Sequence, residues 1–201
     1  MIHKNFIFPT IIFNVNIFDY GEGRRVFNDT LKQIQKEKFS DISLLPQSED
    51  SYLHKREEYY DITRLFTRIL DDIKNEYRYD TERFDISQMW INKSRYGDVH
   101  PTHYHTNSYL SAVLYFTEGS NISFKDPVYL RLNSQLIVGN ELETHNAATN
   151  PEPGKLLVFP SWLYHGTEKN ETHERISMSF NCLPAGKTNY NTPELIYSRL
   201  N

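Results

Sequence analysis

A single cysteine, Cys182, occurs in the 201 residues. This excludes an intrachain disulfide and fits a reducing compartment. One thiol is also a weak basis for nucleophilic catalysis, and a half-buried side chain after a strand is the plainer reading of Cys182. No run approaches the roughly 18 apolar residues of a membrane span. The apolar stretch 6–18, F-I-F-P-T-I-I-F-N-V-N-I-F, is broken by Pro9, Asn14 and Asn16 and has no small-residue cleavage site. It reads as an edge strand rather than a signal peptide. Long basic runs are missing too, and the net charge of -4 gives no strong nucleic-acid signal. Internal repeats, low-complexity segments and interdomain linkers are absent. These absences predict a cytoplasmic protein, of a cell or of an infected host, whose length suits one domain.

Aromatic residues are plentiful, with 14 Tyr and 12 Phe, and such enrichment leans toward strands. Residues 6–18 read as one or two strands with Phe13, Val15 and Ile17 on one face. Residues 24–37 carry Val26, Leu31 and Ile34 at amphipathic-helix spacing. Residues 39–57 are polar, with Pro46, Ser48 and Asp50, and read as a long surface loop that could serve as a lid. The clearest helix covers 59–77: Ile62, Leu65, Phe66, Ile69, Leu70, Ile73 and Tyr77 share one face. From residue 84 the pattern changes to short strands at 84–94, 108–117, 121–125, 128–138, 155–159 and 174–181. Gly97-Asp98, Gly119-Ser120, Gly139-Asn140 and 151–154 punctuate them. Helices followed by short strands predict an α+β fold, a jelly roll with N-terminal support helices. The expected division is 1–83 for the N-terminal strand and helical support, 84–185 for the jelly-roll core and 186–201 for a tail.

The most informative stretch is H-P-T-H-Y-H-T-N-S-Y-L-S-A-V-L-Y-F, residues 100–116. Residues two apart on an extended strand point the same way, so His103 and His105 can aim two imidazoles at one point. His165 follows some sixty residues later, and Arg175 ten residues beyond it. If two antiparallel strands join 165 to 175, the chain returns beside its start and brings Arg175 within reach of what His165 binds. In 174–181, Ile176, Met178 and Phe180 alternate with Arg175, Ser177, Ser179 and Asn181. Alternation is equally compatible with a polar face toward water, the commoner case, or toward a ligand inside a barrel. Three neutral imidazoles suit iron, zinc or copper and leave coordination positions open. A guanidinium in the same cavity suits a carboxylate, because its planar fork donates two parallel hydrogen bonds. Together they suggest an oxygenase that uses a 2-oxo acid.

The segments W-I-N (90–92), H-Y-H-T-N-S-Y-L-S-A-V-L-Y (103–115), I-S-F-K-D-P (122–127), P-G-K-L-L-V-F-P-S-W-L-Y-H (153–165) and E-R-I-S-M-S-F-N (174–181) extend the pattern. In order and spacing they resemble the Fe(II)- and 2-oxoglutarate-dependent oxygenases, a bacterial and phage branch with an H-x-H signature. The resemblance implies a double-stranded β-helix, the cofactor Fe(II), 2-oxoglutarate and O2 as cosubstrates, release of succinate and CO2, and hydroxylation of a C–H bond. It implies His103, His105 and His165 as metal ligands and Arg175 as the clamp for the far carboxylate of 2-oxoglutarate. Tyr115, with Tyr109 second, would bond the same cosubstrate. Ser177 and Asn181 would line its pocket, and Trp90 and Asn92 its wall. A protein substrate, a prolyl residue included, is a fold-level analogy; oligomeric state is not indicated.

His105 stands where most of the superfamily has Asp or Glu, which makes the site more positive; a carboxylate from Asp98 or Asp126 is the alternative ligand. Ala112 replaces a glycine common in the branch. His100 precedes Pro101 and reads as a neighbour of the ligands or a surface residue. His145 and His173 read as solvent-exposed, and Trp162 and Tyr164 as filling the wall beside His165. Two other readings stand beside the oxygenase. One is a jelly-roll metal-binding module, the other a cupin-like three-histidine metalloenzyme without 2-oxoglutarate, which needs no clamp at Arg175.

Overall fold

The computed structural model describes residues 9–41, 45–126 and 146–188. Strands β1 (Phe13–Asn16), β2 (Phe39–Ser40), β3 (Gln47–Ser48), β4 (Thr81–Arg95), β5 (Leu110–Tyr115), β6 (Ile122–Lys125), β7 (Asn146–Thr149), β8 (Lys155–Pro160), β9 (His165–Thr167) and β10 (Glu174–Thr188) accompany two helices, α1 (Gly23–Ile34) and α2 (Tyr60–Glu76). The larger sheet has the order β1-β8-β5-β10-β4-β3-β2, the smaller one β7-β6-β9. Pairing is antiparallel throughout both.

Alternation along the central strands divides the interior into two cores. Ala112 and Leu114 of β5, Leu156 and Val158 of β8, and Ile176, Met178 and Phe180 of β10 pack with the helices. Val113 and Tyr115 of β5 and Leu157 and Phe159 of β8 instead meet Ile122 and Phe124 of β6 between the sheets. β5 is therefore buried along its whole length. The apolar face of α2, Ile62, Leu65, Phe66, Ile69, Leu70 and Ile73, is buried as its spacing predicts. Burying each of these side chains contributes about 1.5–3 kcal/mol, which fixes the helix on the sheet; Phe66 lies 4.6 Å from Phe180, ring centre to ring centre. α1 adds Val26, Phe27 and Ile34.

Several expectations need correction. In 6–18, residues 1–8 lie outside the described part; the strand is Phe13–Asn16, an edge strand as foreseen, and Ile17–Asp19 form a 3-10 turn. The stretch 39–57 is not simply a surface loop. β3 pairs with β4 at Gln47↔Asn92, and Leu45 and Leu53 are buried. Its apolar residues, few but spaced among polar ones, are what the composition hid. Tyr77 is exposed at the end of the α2 face. β4 and β10 are longer than expected and pair along nearly their whole length. β7 and β9 are too short to read from periodicity. The expected strand 128–138 and the turn at Gly139 fall outside the described residues. Cys182 is fully buried within β10 rather than following it, and burial pushes its thiol up to about 12.

The polar face of β10 points inward, against the commoner case. Arg175 is 3% exposed, Ser177 1% and Asn181 3%. The reason is position: β10 lies between β5 and β4, with helices behind it and the smaller sheet in front. β10 also does not form a hairpin with β9. His165 and Arg175 belong to opposite sheets and line one cavity from two sides.

Candidate metal centre

His103 and His165 meet in an antiparallel bridge in which each backbone N–H donates to the other's carbonyl at 2.9 Å. The His105 N–H donates to Ser161 O, also at 2.9 Å. Extended backbone from 103 to 105 then places both side chains on the same side, as their spacing implies. The ring centres are 4.4 Å apart for His103 and His165, 5.0 Å for His103 and His105, and 5.1 Å for His105 and His165. One ring nitrogen from each lies within 4.8 Å of the others.

Hydrogen bonds fix the tautomers. His103 Nδ1 lies 2.9 Å from Pro101 O and His165 Nδ1 2.8 Å from Leu163 O. A carbonyl can only accept, so each Nδ1 carries the proton and each Nε2 keeps its lone pair for a metal. Burial, reinforced by the neighbouring imidazoles, pushes His105 down to about 3. Burial likewise lowers His165 to about 4, with the Leu163 carbonyl opposing it. Both rings are thus neutral at physiological pH, the state in which imidazole binds a cation. The donor set fits a first-row divalent metal. Among the described residues the donor cluster contains no carboxylate. Asp98 instead caps the turn, its Oδ2 accepting from Arg95 N at 2.7 Å.

Gly166 makes this approach possible. A Cβ there would sit 2.8 Å from His100 O and 3.1 Å from Thr102 Cα, so any side chain would push away the segment leading into His103. Gly119 does the same for Arg175. Its φ is +148°, and a Cβ would lie 2.8 Å from Arg175 Cβ. Asn170 anchors this corner, its amide donating to Ser94 O, Arg95 O and Thr172 O.

Arg175 faces the cavity that the three histidines line. Its guanidinium carbon lies 5.1 Å from the centre of the Tyr115 ring. Arg175 Nε and the Tyr115 hydroxyl are both buried, and among the described residues neither has a partner beyond the other's side chain. Desolvation lowers the Arg175 pKa and raises Tyr115 to about 12, so the tyrosine is a hydroxyl donor. Arg175 in the cavity wall, with a buried Nε that lacks an acceptor among the described residues and Tyr115 behind it, offers a charged donor to an anion.

The other expected residues separate clearly. Ser177, Trp90 and Asn92 line the cavity; Trp90 Nε1 donates to Asn92 Oδ1 and Asn92 Nδ2 to Ser179 Oγ, each at 3.1 Å. Asn181 is absent from the lining; it is engaged with Ser111 and Gln88. Tyr109 is 47% exposed, whereas Tyr115 is fully buried beside Arg175; neither belongs to the cavity lining itself. Trp162 and Tyr164 are exposed and do not fill the wall; Phe159, 4.7 Å from the His165 ring, does. His173 is exposed as expected, and His145 lies outside the described residues. His100 lines the cavity with its ring 4.3 Å from His103. Leu45 and Thr167 also line it. No sequence signal marked Leu45, whereas Ser111 sits on the same alternate positions as Val113 and Tyr115 and could have been found that way.

A jelly-roll cavity with three histidines at one end and a buried arginine across it defines the class, a double-stranded β-helix whose cavity could hold a metal ion. Residues 88–181, just under half of the chain, match the model of the family described as "Putative 2OG-Fe(II) oxygenase", so this segment is similar to that family. No curated protein matches the sequence. HygX from Streptomyces hygroscopicus, solved with nickel and 2-oxoglutarate, superposes at a TM-score of 0.61 with 13% identity, covering 89% of this chain and 85% of that one. A Pseudomonas putida prolyl-4-hydroxylase gives a TM-score of 0.61 at 16% identity, covering 88% and 94%. SnoN, a non-haem α-ketoglutarate-dependent epimerase from nogalamycin biosynthesis, gives 0.65 at 10% identity, covering 88% and 77%. At these identities the likeness concerns the fold.

Proposed function

We propose that this protein is a non-haem Fe(II)- and 2-oxoglutarate-dependent dioxygenase that hydroxylates a C–H bond. The observation that carries this reading is the buried Arg175. It has no carboxylate partner among the described residues and shares a cavity with three histidines whose free nitrogens converge. His103, His105 and His165 would hold Fe(II). When bound, Fe(II) with 2-oxoglutarate supplies the oxidation, one oxygen atom of O2 entering succinate and the other the product as CO2 is lost.

The chain's own groups do the positioning. Arg175 pairs with the far carboxylate of 2-oxoglutarate through two parallel hydrogen bonds, and the Tyr115 hydroxyl donates a third. Ser177 lines the same pocket. Val113, Ile122 and Phe159 exclude water from it, which strengthens the ion pair. With a neutral imidazole at 105 in place of a carboxylate, the ligands leave the full charge of the cation uncompensated, and this favours an anionic cosubstrate. For the substrate we put a polypeptide side chain first, prolyl included. The likeness to a prolyl-4-hydroxylase supports this, as do Tyr104, Trp162 and Tyr164, exposed aromatics that flank the ligand residues.

The test is succinate formation from 2-oxoglutarate by purified protein with Fe(II) and O2, beside His165→Ala and Arg175→Ala. Succinate from wild type and from neither variant is the expected result. Anaerobic Fe(II) protein should also change its visible spectrum when 2-oxoglutarate is added. Metal binding with no response to 2-oxoglutarate would refute the proposal and leave the cupin-like or binding-module reading.

A further inference from the structure

His103 and His165 are each aimed by an Nδ1–H bond to a carbonyl two residues earlier. Among the described residues the His105 ring makes no such bond; Trp90 lies 5.8 Å away, centre to centre, and gives its N–H to Asn92 instead. The aim of His105 therefore depends on its backbone, and one residue gathers that backbone. Ser161, fully buried after β8, accepts from His105 N through its carbonyl at 2.9 Å and donates its own N–H to Tyr109 O at 3.0 Å. Its hydroxyl donates to Ser108 Oγ at 2.8 Å and lies 2.8 Å from Ser111 Oγ. Ser111 Oγ also lies 2.8 Å from Asn181 Oδ1 and has one proton to share between it and Ser161 Oγ, and Asn181 Nδ2 donates to Gln88 Oε1 at 3.3 Å. Ser108 closes the loop on the other side through Leu110 O and Cys182 O.

The segment 105–111 is thus wrapped around a single serine, held at 105, 108, 109 and 111. The turn inside it uses Asn107 at φ 56°, a conformation that costs free energy unless neighbours hold it. The chain of side chains ends on Asn181 of β10, the strand that also carries Arg175.

We infer that Ser161 is the positioning residue for His105, and that the chain Ser108–Ser161–Ser111–Asn181 locks this ligand to the strand bearing the arginine. The inference rests on the proposed role of His105 as a metal ligand. It also gives Asn181 a task other than contact with the cosubstrate. Hydrogen-bonded partners of metal ligands commonly change metal affinity by about 10–100-fold when removed, and Ser161 acts one bond further back through the main chain.

The test uses Co(II) alone as the probe, with wild type, Ser161→Ala, Ser111→Ala and His105→Ala. Affinity, the visible absorption of bound Co(II) and thermal melting are read on each. The expected result is about a 10-fold weaker affinity and an altered Co(II) spectrum in Ser161→Ala. Both variants keep the main-chain bonds of residue 161; Ser111→Ala, which also keeps the Ser161 hydroxyl on Ser108, should show a smaller change in the same direction, and it carries the test if Ser161→Ala does not fold. A purely structural serine would lower the melting temperature alone; wild-type affinity and spectrum in the folded serine variants would overturn the inference. If His105→Ala binds Co(II) as wild type does, His105 is not a ligand, and the site assignment fails together with the inference built on it. If His105→Ala weakens binding while the serine variants do not, the assignment stands and only the serine inference falls.

Discussion

Replacing Arg175 by methionine should make the ligand-free protein more stable while abolishing its response to 2-oxoglutarate. Arg175 is 3% exposed, its Nε has no acceptor, and no carboxylate pairs with it among the described residues. Leaving a buried donor without an acceptor costs about 1–3 kcal/mol, and exchanging buried ionic groups for apolar ones of similar volume is often stabilising by about 1–4 kcal/mol. Against this stands the contact with the Tyr115 ring, worth up to about 2 kcal/mol when desolvated. Methionine keeps the packing of the aliphatic stem. A net gain of about 1–2 kcal/mol follows, which for a chain of this size raises the melting temperature by about 2–8 °C. Binding moves the other way. Hydrogen bonds to charged groups contribute about 1.5–3 kcal/mol each, so losing a bidentate pair weakens 2-oxoglutarate by more than about 100-fold. Melting curves in a buffer free of carboxylates and phosphate, with and without 2-oxoglutarate and Mn(II), measure both effects. A variant that melts several degrees below wild type yet keeps its shift with 2-oxoglutarate would show that the guanidinium serves the fold, and the clamp assignment would be wrong.

Three further outcomes follow from the same structure. Tyr115→Phe removes a buried hydroxyl that has no acceptor among the described residues; 2-oxoglutarate affinity should fall by about 10–100-fold, the worth of one hydrogen bond to a charged group, with little loss of melting temperature, as titration and melting will test. The folded-state values of His100, His105 and His165 lie near 4, 3 and 4, below the 6.5 of the unfolded chain. Between pH 6.5 and about 4 the unfolded state therefore binds more protons, and stability falls as the pH falls. The urea midpoint of the metal-free protein should drop through this window and drop less in His105→Phe; an equal drop in both would exclude His105 as a contributor. Cys182, buried with its thiol pushed up to about 12, should resist thiol reagents at pH 8 in the native protein and react only on unfolding; rapid labelling without loss of structure would contradict its placement.

Local pattern carried much of this protein. The α2 face could be read from the spacing of Ile62 to Ile73, because a helix buries whatever recurs every three or four residues. His103 and His105 could be paired because two positions along an extended chain share a side. The turns at Gly97, Gly119 and 151–154 were visible because glycine and proline limit the backbone. By contrast, 39–57 looked like loop because β3 is short, and its pairing partner Asn92 lies 45 residues away.

What tertiary structure alone decided was the sense of each pattern. The alternation in 174–181 separates Arg175, Ser177 and Asn181 from Ile176, Met178 and Phe180, yet does not say which set meets water. Sheet order decided it, since β10 is central and covered on both faces. Tyr115 was preferred to Tyr109, six residues away on the same apolar run, but only the fold showed one exposed and the other buried beside the arginine. Trp162 and Tyr164 looked like wall because large aromatics usually seek burial; flanking an inward-turned stretch, they point out. Asn181 carried the right chemistry for a ligand contact, but Ser111 and Gln88 hold it first. Sequence fixes which side chains share a side of a strand or helix, because that follows from bonds a few residues long. Which side becomes a cavity depends on the element that packs against it, and in this chain that element comes from tens of residues away.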